Sequence, residues 1–170
     1  MPTVRKNTGR REMELVLREE TMGLLGLCHR GSPYVLPMTY GHARGALYMH
    51  CAPKGRKVDA IRENAEVCFT VARQYGRPVS HPQGARCPAN HDSVICYGTA
   101  RIVEDMEERR RVLTRFNRCL EPGAPPLKAE DVQHCLGIEI KIQRMTGRRQ
   151  RKGGVWTRWD YTFPQSRGKR

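Results

Sequence analysis

The segment with the clearest potential for chemistry follows an apolar run near residue 50. Leu47–Cys51 has the composition of a strand, and Gly55 in the turn after it lets a ligand approach the backbone closely. Arg56 and Lys57 then stand at the expected start of a helix. A phosphate bound there would meet two cations, free N–H groups and the positive end of a helix dipole. A solvated basic turn explains the same residues, because short basic clusters are common.

His50 is the second residue of this segment that could take part in a reaction. Imidazole changes its charge near neutral pH, so a histidine beside a ligand can donate a proton or orient a substrate. A histidine packed in a subunit interface, with both ring nitrogens satisfied, is the more common situation. The sequence leaves both roles open.

Three residues with metal-ligating side chains share the segment Tyr75–Asp92, which is rich in Gly and Pro. His81, Cys87 and His91 could bind zinc or haem iron, but their spacing matches no closed zinc site. We therefore predict a long polar loop and no metal ion.

The elements that must position these residues follow from the periodicity of apolar side chains. Three helices are predicted, over Arg11–Glu20, over Pro53–Asn64 and from an N-cap at Asp105 to Leu120. Six strands are predicted, at Leu24–His29, Tyr34–Tyr40, Ala46–Cys51, Glu66–Arg73, Ser93–Val103 and Leu136–Gln143. Pro37 cannot donate a ladder hydrogen bond, so its strand is expected at an edge of the sheet or beside an irregular partner at that point.

The short connections between strands favour antiparallel pairing, since parallel neighbours need crossovers of about a dozen residues or more. About six such strands can close into a small barrel, which leaves no exposed edges. At 170 residues the chain is expected to form one domain. The sequence therefore predicts an α+β fold in which helices flank a six-stranded antiparallel β-barrel.

The basic character of the chain is concentrated at its C-terminal end. The formal net charge is +14, of which residues 141–170 carry +9. We expect residues 1–147 to form the folded domain and residues 148–170 a basic tail with four aromatic residues, Trp156, Trp159, Tyr161 and Phe163. Such a tail could grip single-stranded nucleic acid or dock on a partner subunit with its aromatic rings buried. Docking is favoured, because tryptophans are rarely left in solvent.

The seven cysteines include no pair at the spacing of a zinc or redox site, and several lie in apolar runs. We expect free thiols in a reducing compartment. No segment approaches the roughly 20 apolar residues of a membrane span, so a soluble cytoplasmic protein without a membrane partner is expected.

Eight short segments, taken in order, resemble a known superfamily, and they span roughly residues 20–148. They are Pro37–Tyr40, Gly45–His50, Gly55–Lys57, Ile61–Asn64, Val67–Phe69, Ser93–Ile95, Tyr97–Arg101 and Met145–Arg148. Their order and spacing resemble the pyridoxamine 5′-phosphate oxidase-like superfamily, and most closely its nitroimidazole-resistance branch.

That resemblance implies a split β-barrel that forms a homodimer and binds FMN at the subunit interface. Arg56 and Lys57 would hold the phosphate of FMN. The flavin would be bordered by Pro37, Met38, Thr39 and Tyr40, by Tyr48 and His50, and, from the later strand, by Ser93 and Val94. His50 would lie beside the cofactor pocket as the candidate catalytic residue, and the Tyr75–Asp92 loop would shape its substrate side.

The chain departs from true pyridoxamine-phosphate oxidases near its end. The Arg and Trp pair of those enzymes has only a loose counterpart in Trp156–Trp159. The resemblance therefore favours an FMN-dependent reductase acting on a small electron-poor substrate, such as a nitroaromatic or a quinone. A nicotinamide nucleotide is a possible electron donor, although no dinucleotide-binding glycine pattern is present. The alternatives are a non-catalytic carrier of flavin or haem and, less favoured, a basic nucleic-acid-binding module.

Overall fold

The computed structural model describes residues 4–6, 8–77, 90–151 and 155–164 of the chain. Within these ranges there are four helices, namely α1 (Arg10–Glu19), α2 (Arg56–Glu63), α3 (Met106–Leu120) and α4 (Ala129–Val132). The nine strands are β1 (Val4–Lys6), β2 (Met22–His29), β3 (Ser32–Thr39), β4 (Gly41–Ala43), β5 (Ala46–Cys51), β6 (Glu66–Tyr75), β7 (Asn90–Val103), β8 (Leu136–Arg151) and β9 (Val155–Thr162). The α+β class predicted from the sequence is confirmed.

All nine strands belong to one sheet, in the order β1-β9-β8-β7-β6-β2-β3, with β5 paired to β8 and β4 paired to β5. Every pairing is antiparallel except that of β1 with β9. The six predicted strands correspond to β2, β3, β5, β6, β7 and β8. The predicted count of six is too low, because β1 and β4 have three residues each and are too short to show a periodicity, and because β9 lies in the segment expected to be a tail.

The starts of two helices show how local chemistry sets element boundaries. Asp105 caps α3 as predicted, since its side chain accepts a hydrogen bond from the Glu108 N–H at 2.8 Å. Helix α2 begins at Arg56 and not at Pro53, because Gly55 has a φ of 127° that no helical residue adopts. The helix therefore starts directly at the basic pair.

Strand β3 lies at the end of the strand order, and its described pairing is with β2 alone. Pro37 pairs there with Leu24. The edge position, one of the two settings predicted for Pro37, is the one observed, and an edge tolerates a residue without an N–H where that position faces away from the paired strand.

The core consists of two clusters of apolar side chains. The larger cluster lies between the inner face of the sheet and helices α1 and α2, and its fully buried members include Met13, Leu17, Leu25, Leu47, Met49, Phe69, Ile138 and Ile140. The smaller cluster lies under α3 and includes Tyr48, Val103, Val112, Leu113 and Phe116. Strand β5 supplies both clusters, because alternate side chains of a strand point to opposite faces.

The C-terminal segment is part of the same sheet. Residues 148–151 continue β8 across the predicted domain boundary at 147/148, and β9 pairs with β8. Trp159 is buried against Gly9, Gly147 and Met13 of its own chain. This aromatic ring therefore has an apolar environment without a partner subunit, while the side chain of Trp156 lies outside the described residues.

Six of the cysteines are described, and all six are free thiols. Cys87 and His81 lie outside the described residues. Among the residues that the structure describes, no group of three or more His, Cys, Asp or Glu side chains could hold a metal ion. None of the helices in the described ranges is long and apolar enough to cross a membrane.

Candidate functional site

The register of the sheet sorts the predicted site residues onto two faces. Pro37 and Thr39 are exposed on the outer face of β3, and Ser93 is half-buried on the outer face of β7. Pro37 pairs with Leu24, which pairs with Thr70, and Thr70 in turn pairs with Ile95, two residues from Ser93. These three predicted residues therefore share one continuous surface, separated by strands β2 and β6.

Three other predicted residues point into the core. Met38, Tyr40 and Val94 are 8%, 1% and 1% exposed. The Tyr40 hydroxyl donates a hydrogen bond to the Leu17 carbonyl oxygen at 2.9 Å. Burial raises the pKa of this phenol. The side chains of these residues support β3 and β7 from inside, and only their backbone could face a ligand on the outer surface.

Strand β5 carries Tyr48 and His50 on the side covered by α3. The Tyr48 hydroxyl accepts a hydrogen bond from Arg115 Nη1 at 3.1 Å, and its ring is buried under that guanidinium. His50 is exposed, and its ring meets Phe116 edge-on at 5.4 Å between centroids. The exposed His50 side chain makes no hydrogen bond or ion pair with another described residue, so its imidazole is free to bind a ligand.

Arg56 and Lys57 lie at the start of α2, next to β3. The Arg56 guanidinium stands 4.4 Å from the centroid of the Tyr34 ring, and Lys57 Nζ lies 3.3 Å from Met38 Sδ. Neither side chain forms an ion pair with a described residue. The N-cap residue, Gly55, contributes no side-chain hydrogen bond to the helix.

These features fit a phosphate group. Helix α2 has eight residues and no side-chain cap at its N-terminus, and Arg56 and Lys57 outnumber the one carboxylate of its first turn, Asp59. A Cβ placed on Gly55 would meet no atom within 4 Å, so the backbone is open on that side. Phosphate oxygens could receive hydrogen bonds from the backbone and from both side chains.

A second basic feature lies beside Ser93. Ser93 pairs with Arg148 of β8, which pairs with Arg158 of β9. Partial burial and the neighbouring Arg158 lower the pKa of Arg148. The outer face around Ser93 is therefore positively charged at its β8–β9 side.

The sequence missed the partners that the fold adds to the predicted residues. Arg115 and Phe116 of α3 contact Tyr48 and His50, and Tyr34 contacts Arg56. No local pattern marks these residues, because they lie 22 to 67 positions away from their partners in the chain. Only the amphipathic character of α3 indicated that it would cover a sheet face.

The family of the chain follows from its similarity to known proteins. The family model described as pyridoxamine 5′-phosphate oxidase matches residues 9–149. The chain therefore belongs to this family, and the resemblance seen in the sequence is confirmed.

One curated relative, an uncharacterized protein of Rhizobium meliloti (strain 1021), is 33% identical over 63 residues, which are 37% of this chain and 41% of that protein. The match thus spans less than half of the relative's length.

Among solved structures, a candidate 5-nitroimidazole antibiotic resistance protein of Bacteroides thetaiotaomicron VPI-5482 is 26% identical, with a TM-score of 0.68 over 81% of this chain and 82% of that one. The FAD and heme binding protein of Mycobacterium smegmatis has a TM-score of 0.74 at 16% identity, over 95% of this chain and 88% of that one. At 16% identity, the similarity to the Mycobacterium smegmatis protein shows a shared fold and nothing more.

Proposed function

We propose that this chain is an FMN-binding flavoprotein that reduces a small electron-poor substrate of the nitroaromatic or quinone type. The observation that carries the proposal is the start of α2, where Arg56 and Lys57 present two cations at a helix N-terminus that no side chain caps. Both charges are available for a phosphate, since neither is taken up by a carboxylate of the described residues. The family to which the chain belongs supports the flavin.

A flavin ring whose phosphate lies at the start of α2 would have to reach round the edge strand β3, because Tyr34 and Met38, which contact Arg56 and Lys57, face inward, whereas Pro37 and Thr39 face outward. Pro37, Thr39 and Ser93 lie on the outer face of the sheet, and the pairing of Tyr48 with Glu139 and of Glu139 with Arg101 places Tyr48 and His50 on it as well. The polar side chains among them offer hydrogen bonds to the edge of a ring system. The outer surface of β2 and β3, with exposed Met22, Leu24 and Val35, offers it an apolar floor.

The same face supports a homodimer with the flavin between its subunits. Four large apolar side chains of this face are 39% to 62% exposed, namely Met22, Leu24, Val35 and Tyr97. An exposed apolar surface of this kind marks an interaction site. A second copy of the chain would cover these side chains and enclose the cofactor.

His50 is the residue we propose to act on the substrate. Its imidazole is exposed, it has no polar partner among the described residues, and Phe116 fixes one side of the ring. It can donate a proton to the reduced substrate or hold the substrate by a hydrogen bond. Bound FMN supplies the hydride chemistry, while the chain holds the phosphate, orients the ring and excludes water.

A carrier of flavin or haem without turnover is the second candidate. A protein named for binding FAD and heme has the same fold, which keeps this candidate open. The absorption spectrum separates the possibilities, because flavin and haem have distinct bands.

The test compares FMN affinity of the wild type with that of Arg56→Ala/Lys57→Ala. We expect the double variant to bind FMN about 100-fold more weakly, since each charged hydrogen bond to phosphate contributes about 1.5–3 kcal/mol. The matched control is Lys54→Ala/Arg62→Ala, which removes two charges from the same turn and helix. The control should bind FMN within about twofold of the wild type.

Equal FMN affinity in wild type and double variant would refute the phosphate site. A Soret band in place of flavin absorption would support the haem carrier. Bound FMN that has been reduced with dithionite and is then not re-oxidised by nitroaromatics or quinones would remove the reductase part of the proposal. A colourless protein that binds oligonucleotides with a steep salt dependence would exclude the flavin altogether.

A further inference from the structure

A cavity of about 730 Å³ lies on the outer face of the sheet, away from Arg56 and Lys57. Its floor is formed by β5, β7 and β8, and its walls by α3 and the segment after β9. The pairing of Ala46 with Lys141 and of Lys141 with Thr99 sets the floor. Tyr48 lines both this cavity and the proposed flavin site, so the two regions adjoin.

A second cavity of about 520 Å³ lies beside the first, between α3 and the β4–β5 turn. Arg44 of that turn and Arg115 of α3 line both cavities and therefore stand at their junction. Each volume falls within the roughly 300–1,000 Å³ of ligand pockets. Together the cavities could hold an elongated ligand whose middle lies between Arg44 and Arg115.

The charges around the two cavities are unbalanced. Seven cations line them, against two carboxylates, Glu107 and Glu139. Both carboxylates are already in ion pairs, Glu107 with Arg110 and Glu139 with Arg101. The other five cations form no ion pair with a described residue, and they are Arg44, Arg111, Arg115, Arg118 and Lys141. Such a surface favours a ligand that carries several negative charges.

Two aromatic residues shape the first cavity. Tyr48 is buried, and its hydroxyl holds the Arg115 guanidinium in place. Phe163 is half-buried and packs over Gly45, where a Cβ would lie 3.1 Å from its ring. An aromatic surface beside cations is suited to a ligand that joins a ring system to phosphates.

Arg44 has an unusual backbone conformation for a residue with a long side chain. It has a φ of 53°, followed by Gly45 with a φ of 73°, in the two-residue turn between β4 and β5. Asn, Asp or Gly would adopt this conformation more easily. An arginine here places a guanidinium at the junction of the cavities.

We propose that the two cavities bind the phosphates of a nicotinamide dinucleotide, and specifically of the phosphorylated form, NADP(H). This inference rests on the proposed function, in which the flavin needs an electron donor. Sites that select the unphosphorylated form use a carboxylate for the ribose hydroxyl, whereas an arginine accommodates the additional 2′-phosphate. Both carboxylates here are engaged by arginines, and five cations remain for the pyrophosphate and the 2′-phosphate.

The test measures binding of NADP⁺ and NAD⁺ to the full-length protein by calorimetry at fixed salt. These ligands differ only in the 2′-phosphate. We expect the wild type to bind NADP⁺ about tenfold or more tightly than NAD⁺, and Arg44→Asn/Lys141→Gln to lose about tenfold or more in NADP⁺ affinity. Asn tolerates the left-handed conformation, so this variant should keep its fold.

The chain offers a matched control in its other arginine-glycine turn. Arg30 has a φ of 51° and is followed by Gly31 with a φ of 73°, but it lies in the β2–β3 turn outside both cavities. Arg30→Asn makes the same change as the Arg44→Asn half of the test variant, in the same backbone conformation. Its NADP⁺ affinity should equal that of the wild type.

Three results would overturn the inference. They are no NADP⁺ binding by the wild type, equal affinities of the wild type for NADP⁺ and NAD⁺, and an equal loss of NADP⁺ affinity in Arg30→Asn and in Arg44→Asn/Lys141→Gln. Binding of an oligonucleotide in place of NADP⁺, weakened by Arg44→Asn/Lys141→Gln, would also overturn it and assign the surface to nucleic acid. FMN affinity is measured on the same variants and should be unchanged. Loss of NADP⁺ binding and loss of FMN binding are therefore measured separately, so either proposal can be refuted without the other.

Discussion

Two clusters of arginines in this protein have opposite surroundings. At one end of β7, Asp92 is buried and receives hydrogen bonds of 2.8–3.1 Å from Arg149 and Arg151. Tyr75 donates a further hydrogen bond to the same carboxylate. At the cavities on the outer face, Arg44 and Arg115 have no carboxylate partner in the described part of the chain.

This difference separates two uses of one residue type. Arginines arranged around a buried carboxylate complete the fold, because each charge is neutralised within the chain. Arginines gathered without a carboxylate repel one another, and an anion from outside relieves that repulsion. The first cluster should therefore matter for stability, and the second for binding.

The largest effect is expected from Asp92→Asn. The change leaves two guanidinium groups without their carboxylate and should lower the free energy of unfolding by about 3 kcal/mol. That corresponds to a fall in melting temperature of roughly 6–12 °C for a chain of this size. Urea unfolding followed by circular dichroism measures it.

The control for this prediction is Glu104→Gln. Glu104 pairs with Arg62 at the surface, where the two side chains are 60% and 51% exposed. Its loss should cost less than about 1 kcal/mol, because exposed ion pairs are screened by water and salt. Similar losses in both variants would contradict a special role for the Asp92 cluster.

The pH dependence of stability provides a second test of the same cluster. Burial by itself raises the pKa of Asp92, but the hydrogen bonds from Arg151 and Arg149 outweigh it and hold the pKa at about 2. An unfolded chain has an ordinary aspartate pKa of about 3.9. The stabilisation is therefore complete above about pH 4 and is lost as the pH falls towards 2.

Wild type and Asp92→Asn should accordingly converge in stability on acidification. We expect the difference in their free energies of unfolding to shrink by about 2 kcal/mol between pH 5 and pH 2. Parallel unfolding curves at several pH values measure this convergence. A constant difference across that range would mean that Asp92 is not ionised by its arginines in the folded state.

The smallest effect concerns the cavity cluster without ligand. Arg44→Asn/Lys141→Gln removes two like charges and eases a left-handed residue, so stability in low salt should stay the same or rise by about 0.5 kcal/mol. Thermal unfolding without added anions measures this. A loss above about 1 kcal/mol would show that these cations support the fold, as those around Asp92 do.

Local patterns predicted much of the secondary structure. Ala46–Cys51 has the bounds expected for β5, and Asp105 caps α3 as expected. β9 was missed because its strand-like alternation lies in a strongly basic segment, whose composition suggested a tail. A strand that is strongly charged on one side is stable only when the sheet buries its other side, as it buries Trp159.

The candidate phosphate site at the start of α2 and the candidate site at the cavities also differ in whether a local pattern in the sequence reveals them. Arg56 and Lys57 are adjacent in the chain, so the sequence alone indicates a phosphate site at the start of a helix. Arg44, Arg115 and Lys141 are far apart in the chain and belong to a turn, a helix and a strand. The pairing of β5 with β8 and the packing of α3 on β5 bring them to one surface, and no local pattern encodes that proximity.

The sequence by itself determined the family, the strands of the central sheet and the basic pair at the start of α2, because these depend on periodicity, turn residues and short spacings. The tertiary structure decided which predicted residues reach the outer face, since strand register sends alternate side chains to opposite sides. It also decided which arginines are neutralised. That depends on whether folding places a carboxylate within hydrogen-bond distance, as it does at Asp92 and does not at Arg44.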